Sequence, residues 1–141
     1  MSIPVAALLA FAMWTITLLA LTIGIVRWGM IFSGKAELKS FPGDEPHGSP
    51  FYRRATRAHA NCIENLPVFG AIVFAAETTG AASPRLDGLA IAVIVARVAQ
   101  TTAHLSSGSN TAIGIRFSFL MVQLCAFFWM AALIGQHAAG L

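Results

Sequence analysis

Residues 53–69 read RRATRAHANCIENLPVF, and this stretch decides how the rest of the chain is interpreted. It opens with arginines, continues into an apolar segment, and carries Asn61 and Glu64 at a depth where a helix facing lipid would not keep them. On a helix, Arg57, Asn61 and Glu64 fall at positions i, i+4 and i+7 and line one face. The row indicates either a binding stripe or an interfacial arginine with a helix-joining salt bridge, because intramembrane charges both pair with one another and mark sites.

The composition of the whole chain is typical of a membrane protein. Of its 141 residues, 57% are hydrophobic and only 11% are charged, and the mean hydropathy is +0.73, far from the balance of a soluble domain. The length suits one domain, 1–141. The net charge of +3 is small and lies mostly in one predicted loop, so no nucleic-acid partner is indicated. Cys62 and Cys125 lack metal or disulfide spacing and are interpreted as apolar filler.

Long apolar blocks predict four membrane-spanning helices, since about 20 residues cross the hydrocarbon layer. The predicted spans are 4–32, 54–79, 86–104 and 112–136. The fold class that follows is all-α and integral to the membrane, an antiparallel four-helix transmembrane bundle. Pro67 is expected to kink the second span.

The loop predicted over residues 33–52 sets the orientation of the bundle. With its flanks it carries six basic residues against three acidic ones, an excess that places it on the cytoplasmic side. Both termini then lie outside a multi-pass protein, in the inner membrane if the source is bacterial. Residues 4–26 are interpreted as a retained span, because no basic segment precedes them and the apolar run is too long for a signal peptide.

Two further polar groups are predicted to lie at the same membrane level as the first stripe. Arg97, Gln100 and His104 end the third helix at positions i, i+3 and i+7, and Arg116 begins the fourth. One carboxylate cannot neutralise three arginines, so the surplus charge needs an anionic ligand or, alternatively, phospholipid headgroups. Glu64 could bind an ammonium group or pair with Arg97. No residue set has the spacing of a metal site, a catalytic triad or a phosphate loop.

The motif R-A-H-x-N-x-x-E-x-x-P at residues 57–67 resembles the signature of the MAPEG family, membrane-associated proteins in eicosanoid and glutathione metabolism. The segment from Arg97 to His104, followed by Arg116, is similar to the third and fourth helices of that family. The resemblance covers most of the chain and is to members of the microsomal glutathione transferase and prostaglandin E synthase types. His104 stands where many members have tyrosine, and the turn before Arg116 is longer than in familiar relatives.

The resemblance implies a homotrimer that binds glutathione as a co-substrate, without a metal, at subunit interfaces toward the cytoplasm. The implied glutathione-binding residues are Arg57, His59, Asn61, Glu64, Gln100, His104 and, more loosely, Lys35 from the first helix of a neighbour. Arg116 would be the catalytic residue that stabilises the thiolate, since a guanidinium lowers the pKa of a thiol from its free value of about 8.5. Arg97 would form a structural ion pair with Glu64.

Three functions remain open at this point. The first is a glutathione transferase or peroxidase that conjugates lipophilic electrophiles or reduces lipid hydroperoxides in the bilayer. The second is a non-catalytic lipid-binding or scaffold member of the same fold. The third, a small multidrug-type transporter, is disfavoured because residues 4–26 contain no membrane-embedded acid.

Overall fold

Four long helices form the computed structural model, which describes residues 1–41 and 47–141. Within those residues there is no β-strand, and the predicted all-α fold is confirmed. The middle of the predicted loop, at 42–46, lies outside the described residues. The helices are α1 (Ile3–Phe32), which includes a π-helical turn at Leu19–Gly24, then α2 (Pro50–Thr79), α3 (Pro84–Ser106) and α4 (Asn110–Ala138).

Each helix begins directly after a serine that caps its first turn. The four capping hydroxyls accept hydrogen bonds from backbone N–H groups three residues further on, and they belong to Ser2, Ser49, Ser83 and Ser109. A proline stands in the first two helical positions of α1, α2 and α3. Serine caps and early prolines satisfy or remove donors that a helix start leaves unpaired. These signals set the helix starts, and α2 continues through Pro67.

Hydrogen bonds at both ends of α1 show that it runs antiparallel to α2. The Ser2 hydroxyl donates to the Glu77 carboxylate, which joins the start of α1 to the end of α2. At the other end, Arg27 Nε donates to the Tyr52 hydroxyl across 2.6 Å. The two helices therefore lie side by side along their whole lengths.

The remaining helices continue this up-and-down order. Arg54 Nε donates to the carbonyl oxygen of Leu105 across 3.3 Å, so the start of α2 lies beside the end of α3. The connections at 80–83 and 107–109 are short, and α3 packs most extensively against α4. Short connections of this kind make sequence neighbours antiparallel. One end of the bundle thus gathers the end of α1, the start of α2, the end of α3 and the start of α4.

The core between these helices contains a group of aromatic rings and, elsewhere, small alanine side chains. The ring centroid of Phe69 lies 6.0 Å from that of Phe11 and 5.8 Å from that of Phe127, which joins α2 to α1 and α4. Ala55 and Ala90 are fully buried. Small side chains let helix backbones approach closely, which favours association in lipid.

Three of the four helices are long and apolar enough to cross a membrane. Within the described residues these are α1, α3 and α4. The remaining helix, α2, has 30 residues, about 45 Å at 1.5 Å per residue, but its first half carries Arg53, Arg54, Arg57 and Glu64. The expectation of four apolar spans is therefore met by three helices, and α2 has the length of a span without its composition.

Candidate functional site

Polar side chains converge at the end of the bundle where the start of α2, the end of α3 and the start of α4 meet. We call this region the polar end. Five polar residues of α3 and α4 in this region are buried, namely Arg97, Gln100, Thr101, His104 and Gln123. Removing polar groups from water costs free energy unless they gain hydrogen bonds. The partners of these side chains therefore decide what the region can do.

His104 joins all three helices of the polar end. Its Nε2 atom lies 3.0 Å from the side-chain amide of Asn61 on α2, and its Nδ1 atom lies 2.9 Å from Nη1 of Arg116 on α4. The imidazole is 7% exposed, whereas Arg116 is half-buried. The Arg116 guanidinium is thus hydrogen-bonded to His104 and is also partly accessible at the surface.

A pair of glutamines fixes the backbone of α4 at the same level. Gln100 Nε2 donates to the carbonyl oxygen of Arg116 across 3.1 Å. Gln123 Nε2 donates to Gln100 Oε1 across 3.0 Å and also to the carbonyl oxygen of Phe119 across 2.9 Å. Gln100 and Gln123 form a buried polar bridge between α3 and α4, in which only Gln123 Oε1 has no hydrogen-bond partner among the described residues. Such bridges rigidify a core when their members are hydrogen-bonded.

Arg97 lies deeper than the other arginines and is 1% exposed. Its guanidinium carbon is 5.0 Å from the ring centroid of Phe11 on α1, which is the geometry of a cation–π contact. Its Nε and Nη2 atoms have no hydrogen-bond partner among the described residues. One turn along α3, Thr101 accepts a hydrogen bond from the Trp14 indole across 3.3 Å.

The predicted ion pair between Glu64 and Arg97 is not formed within the chain. Among the described residues no direct contact joins the two side chains, although their charges interact across a longer distance. The reason is orientation, because Glu64 is exposed on α2 while Arg97 points toward α1 and Phe11. The carboxylate is therefore left open to a ligand or a neighbouring chain.

The other predicted site residues are exposed or half-buried at the same end of the bundle. Arg57 is exposed and His59 is half-buried, and both lie on α2 at the polar end. Arg57 lies one helical turn before Asn61, the residue whose side chain meets His104. Lys35 is exposed just after α1, and its assignment to a neighbouring subunit stays a prediction. The structure brings together Asn61, Gln100, His104 and Arg116 by direct hydrogen bonds.

Sequence reasoning missed three contributors to this region. Gln123 completes the glutamine bridge, and Thr101 and Trp14 link α3 to α1. A signal for Gln123 was available, since it is an amide in an otherwise apolar stretch of α4. Thr101 follows Arg97 by four residues and so shares its helical face. Trp14 gave no signal, because an indole in an apolar span is ordinary.

The charges of the polar end suit an anionic ligand. Arg57, Arg97 and Arg116 stand against one carboxylate, Glu64, so positive charge is in excess. A guanidinium carries five N–H donors, and Arg116 uses one of them on His104. Planar guanidinium groups match carboxylates well. In the described part of the chain, no cluster of His, Cys, Asp and Glu could hold a metal ion.

Comparison with known proteins identifies one family. The model of the MAPEG family matches residues 4–136, nearly the whole chain. The match is to the family and not to a particular type of member. No curated protein matches the chain.

Proposed function

This chain belongs to the MAPEG family of integral membrane proteins, which includes glutathione-dependent enzymes, and we propose from this premise that it is itself one of those enzymes. The reaction is transfer of the glutathione thiolate to a lipophilic electrophile, or reduction of a lipid hydroperoxide by glutathione. Glutathione is the co-substrate, and the second substrate is an apolar molecule that enters from the bilayer. The observation that carries the proposal is the Arg116 guanidinium, half-buried and held by His104 in a region of excess positive charge.

Arg116 has the chemistry that a thiol needs in order to react. The thiolate is the nucleophile, and a free thiol with a pKa near ~8.5 is mostly protonated at neutral pH. A cation within about 4–6 Å favours the charged form and lowers the pKa by about one to three units. Arg116 lies six residues after the first residue of α4, beyond the first turn where the helix dipole acts most strongly. Its guanidinium is therefore the main source of stabilisation.

The remaining polar groups match the rest of the tripeptide. Arg57 offers an exposed guanidinium to a carboxylate, and Glu64 offers an exposed carboxylate to the ammonium group. Asn61, Gln100 and His104 lie behind these groups, where their hydrogen bonds hold the Arg116 side chain and backbone in position. His59 lies on the same helix and contributes from its half-buried position.

We place the complete site between subunits of a homotrimer. Arg57 and Glu64 are exposed on the single chain at the level of Arg116, so a ligand can bridge them to a neighbouring copy. Lys35 of that copy is then available to add a positive charge. The same arrangement leaves apolar helix surfaces facing lipid, from which the second substrate can reach the thiolate.

The polar end faces the cytoplasm in this proposal. The basic residues that flank the loop between α1 and α2 support this orientation, because positive charges favour the cytoplasmic side. A cysteine placed at Ser49 is expected to resist an impermeant thiol reagent added from outside intact cells. Labelling of that cysteine from the outside would reverse the assigned orientation.

The experiment that tests the proposed function measures the thiolate directly. Purified protein is titrated with glutathione at several pH values, and the near-ultraviolet absorbance of the thiolate is followed as a difference spectrum. Arg116→Ala is expected to raise the apparent thiol pKa by about one to three units at saturating glutathione. Arg57→Ala is expected mainly to weaken glutathione binding, because its guanidinium contacts a carboxylate distant from sulfur.

A matched control is available at the other end of α3. Arg85 is also an exposed arginine, and Arg85→Ala is expected to leave both affinity and thiol pKa unchanged. If Arg116→Ala leaves the thiol pKa unchanged at saturation, the role given to Arg116 is wrong. Absence of a thiolate in the unsubstituted protein would favour the non-catalytic lipid-binding alternative.

A further inference from the structure

Both ring nitrogens of His104 are engaged, and the partner of one of them determines where the proton resides. Arg116 Nη1 lies 2.9 Å from Nδ1, and the Asn61 amide lies 3.0 Å from Nε2. A guanidinium has donors only and no acceptor. A hydrogen bond between Arg116 and Nδ1 therefore requires an unprotonated Nδ1.

The other nitrogen then follows by elimination. A neutral imidazole carries one proton, so with Nδ1 bare the proton lies on Nε2. Nε2–H can only donate, and its partner must be the carbonyl oxygen of Asn61. The oxygen and nitrogen of an amide exchange places by a half-turn of the group, and their assignment follows from their hydrogen-bond partners. The hydrogen bonds run from Arg116 to His104 and from His104 to Asn61.

We propose that neutral His104, protonated on Nε2, is the positioning residue for the Arg116 guanidinium. Asn61 fixes the imidazole ring through Nε2, and the ring in turn fixes the guanidinium through Nδ1. The importance of this for catalysis rests on the proposed function, whereas the tautomer and the Arg116 contact do not. The backbone of Arg116 is fixed separately by Gln100 and Gln123. Without His104 the backbone stays in place and the long side chain loses its fixed direction.

The surroundings of His104 agree with a neutral ring. Three arginines lie around it, with Arg57 on α2, Arg97 on its own helix and Arg116 on α4. Arg54 of α2 binds the carbonyl oxygen of the next residue, Leu105. Glu64, the carboxylate in the first half of α2, is exposed and makes no hydrogen bond to the ring in the described part of the chain. A proton on Nδ1 would place a donor against the guanidinium donor of Arg116, and protonation of both nitrogens would also place a cation among cations.

Two amide substitutions separate the two nitrogens. An asparagine at 104 keeps an acceptor oxygen near the position of Nδ1, and a glutamine places its amide near the position of Nε2. His104→Asn is therefore expected to retain most of the glutathione thiolate at saturation while weakening glutathione binding several-fold, because Asn61 loses its partner. His104→Gln is expected to show the opposite pattern, with binding retained and the thiolate fraction reduced several-fold. His104→Phe should lose both.

Thermal unfolding of each variant separates this role from simple support of the fold. The asparagine and glutamine variants are expected to melt at similar temperatures while differing in thiolate fraction. Equal thiolate fractions and equal affinities in the two variants would overturn the positioning role. These measurements depend on the glutathione reaction, so a second one is made without glutathione.

Nitrogen-15 resonances of labelled histidine report the tautomer of the full-length protein in lipid. The chain has four histidines, and the signal of His104 is the one removed by His104→Asn. We expect the His104 Nδ1 resonance in the unprotonated range and the Nε2 resonance in the protonated range at neutral pH. Arg116→Met should shift His104 toward a mixture of tautomers. A protonated Nδ1 in the unsubstituted protein, in either a neutral or a charged ring, would overturn the proposal even if the glutathione chemistry is correct.

Discussion

The two ends of this bundle are formed by the same four helices but differ in whether their polar side chains are buried or exposed. At the polar end the side chains of Arg97, Gln100, His104 and Gln123 are buried. At the opposite end, formed by the start of α1, the end of α2, the start of α3 and the end of α4, the side chains of Glu77, Arg85 and Gln136 are exposed. Exposed polar groups keep their water and need no further explanation. Buried ones in an apolar helix are costly and mark function.

The largest difference between the ends should appear when arginines are truncated. Arg97→Ala removes a buried side chain that packs on Phe11 and should reduce stability by about 2–5 kcal/mol, the range for long buried side chains. Arg85→Ala at the opposite end should change it by less than ~0.5 kcal/mol. Thermal unfolding in detergent measures both. Equal effects would show that Arg97 is not packed as described.

A volume-conserving variant then isolates the charge of Arg97. Arg97→Met keeps most of the packing on Phe11 but removes a guanidinium of which two nitrogens have no hydrogen-bond partner in the described part of the chain. Replacing a buried charge by an apolar group of similar volume is often neutral or stabilising. The melting temperature of this variant should therefore match or exceed that of the unsubstituted protein. A large loss of stability would mean that Arg97 has a strong partner.

An intermediate difference is expected for two glutamines on the same helix. Gln123→Leu leaves the buried Gln100 Oε1 atom without its donor, and an unsatisfied buried polar group costs about 1–3 kcal/mol. Gln136→Leu, at the exposed end of α4, should stay within ~0.5 kcal/mol. Replacing Gln100 and Gln123 together by leucine should recover most of the loss, because the unsatisfied side-chain oxygen of Gln100 is then removed as well. Failure of the double variant to recover would remove the glutamine bridge from the account.

The smallest effect concerns Glu64 and Arg97. A double-mutant cycle with Glu64→Gln and Arg97→Met should give a coupling energy of about 0.5 kcal/mol or less, since one partner is exposed and the two make no direct contact. A buried ion pair would instead cost about 3–5 kcal/mol when broken. A coupling of that size would restore the ion pair that the sequence predicted.

The sequence predicts the helices and the level of the polar end well, because both depend on local patterns. The apolar blocks identify the four helices. The positions of the arginines identify the three helix segments that meet at the polar end. The second helix begins at Pro50 after the Ser49 cap, four residues before the predicted start at 54. A serine cap followed by proline is the stronger signal of a helix start.

The sequence does not predict which polar side chains touch. Spacing shows that Glu64 and Arg97 each lie on a polar face of their own helix, but the rotation of α2 against α3 decides which pairs meet. In the folded chain Asn61, and not Glu64, is turned toward α3. The link from Gln100 to Gln123 depends in the same way on how α3 packs against α4.

The central claim is that Arg116 at the polar end holds the sulfur of glutathione. The most direct measurement is a structure of the assembled protein in lipid with glutathione bound. We predict density of tripeptide size between neighbouring subunits, with the sulfur beside the Arg116 guanidinium, a carboxylate at Arg57 and the ammonium group at Glu64. Density for a phospholipid headgroup on Arg116, with glutathione absent from the polar end at saturating concentration, would contradict the account.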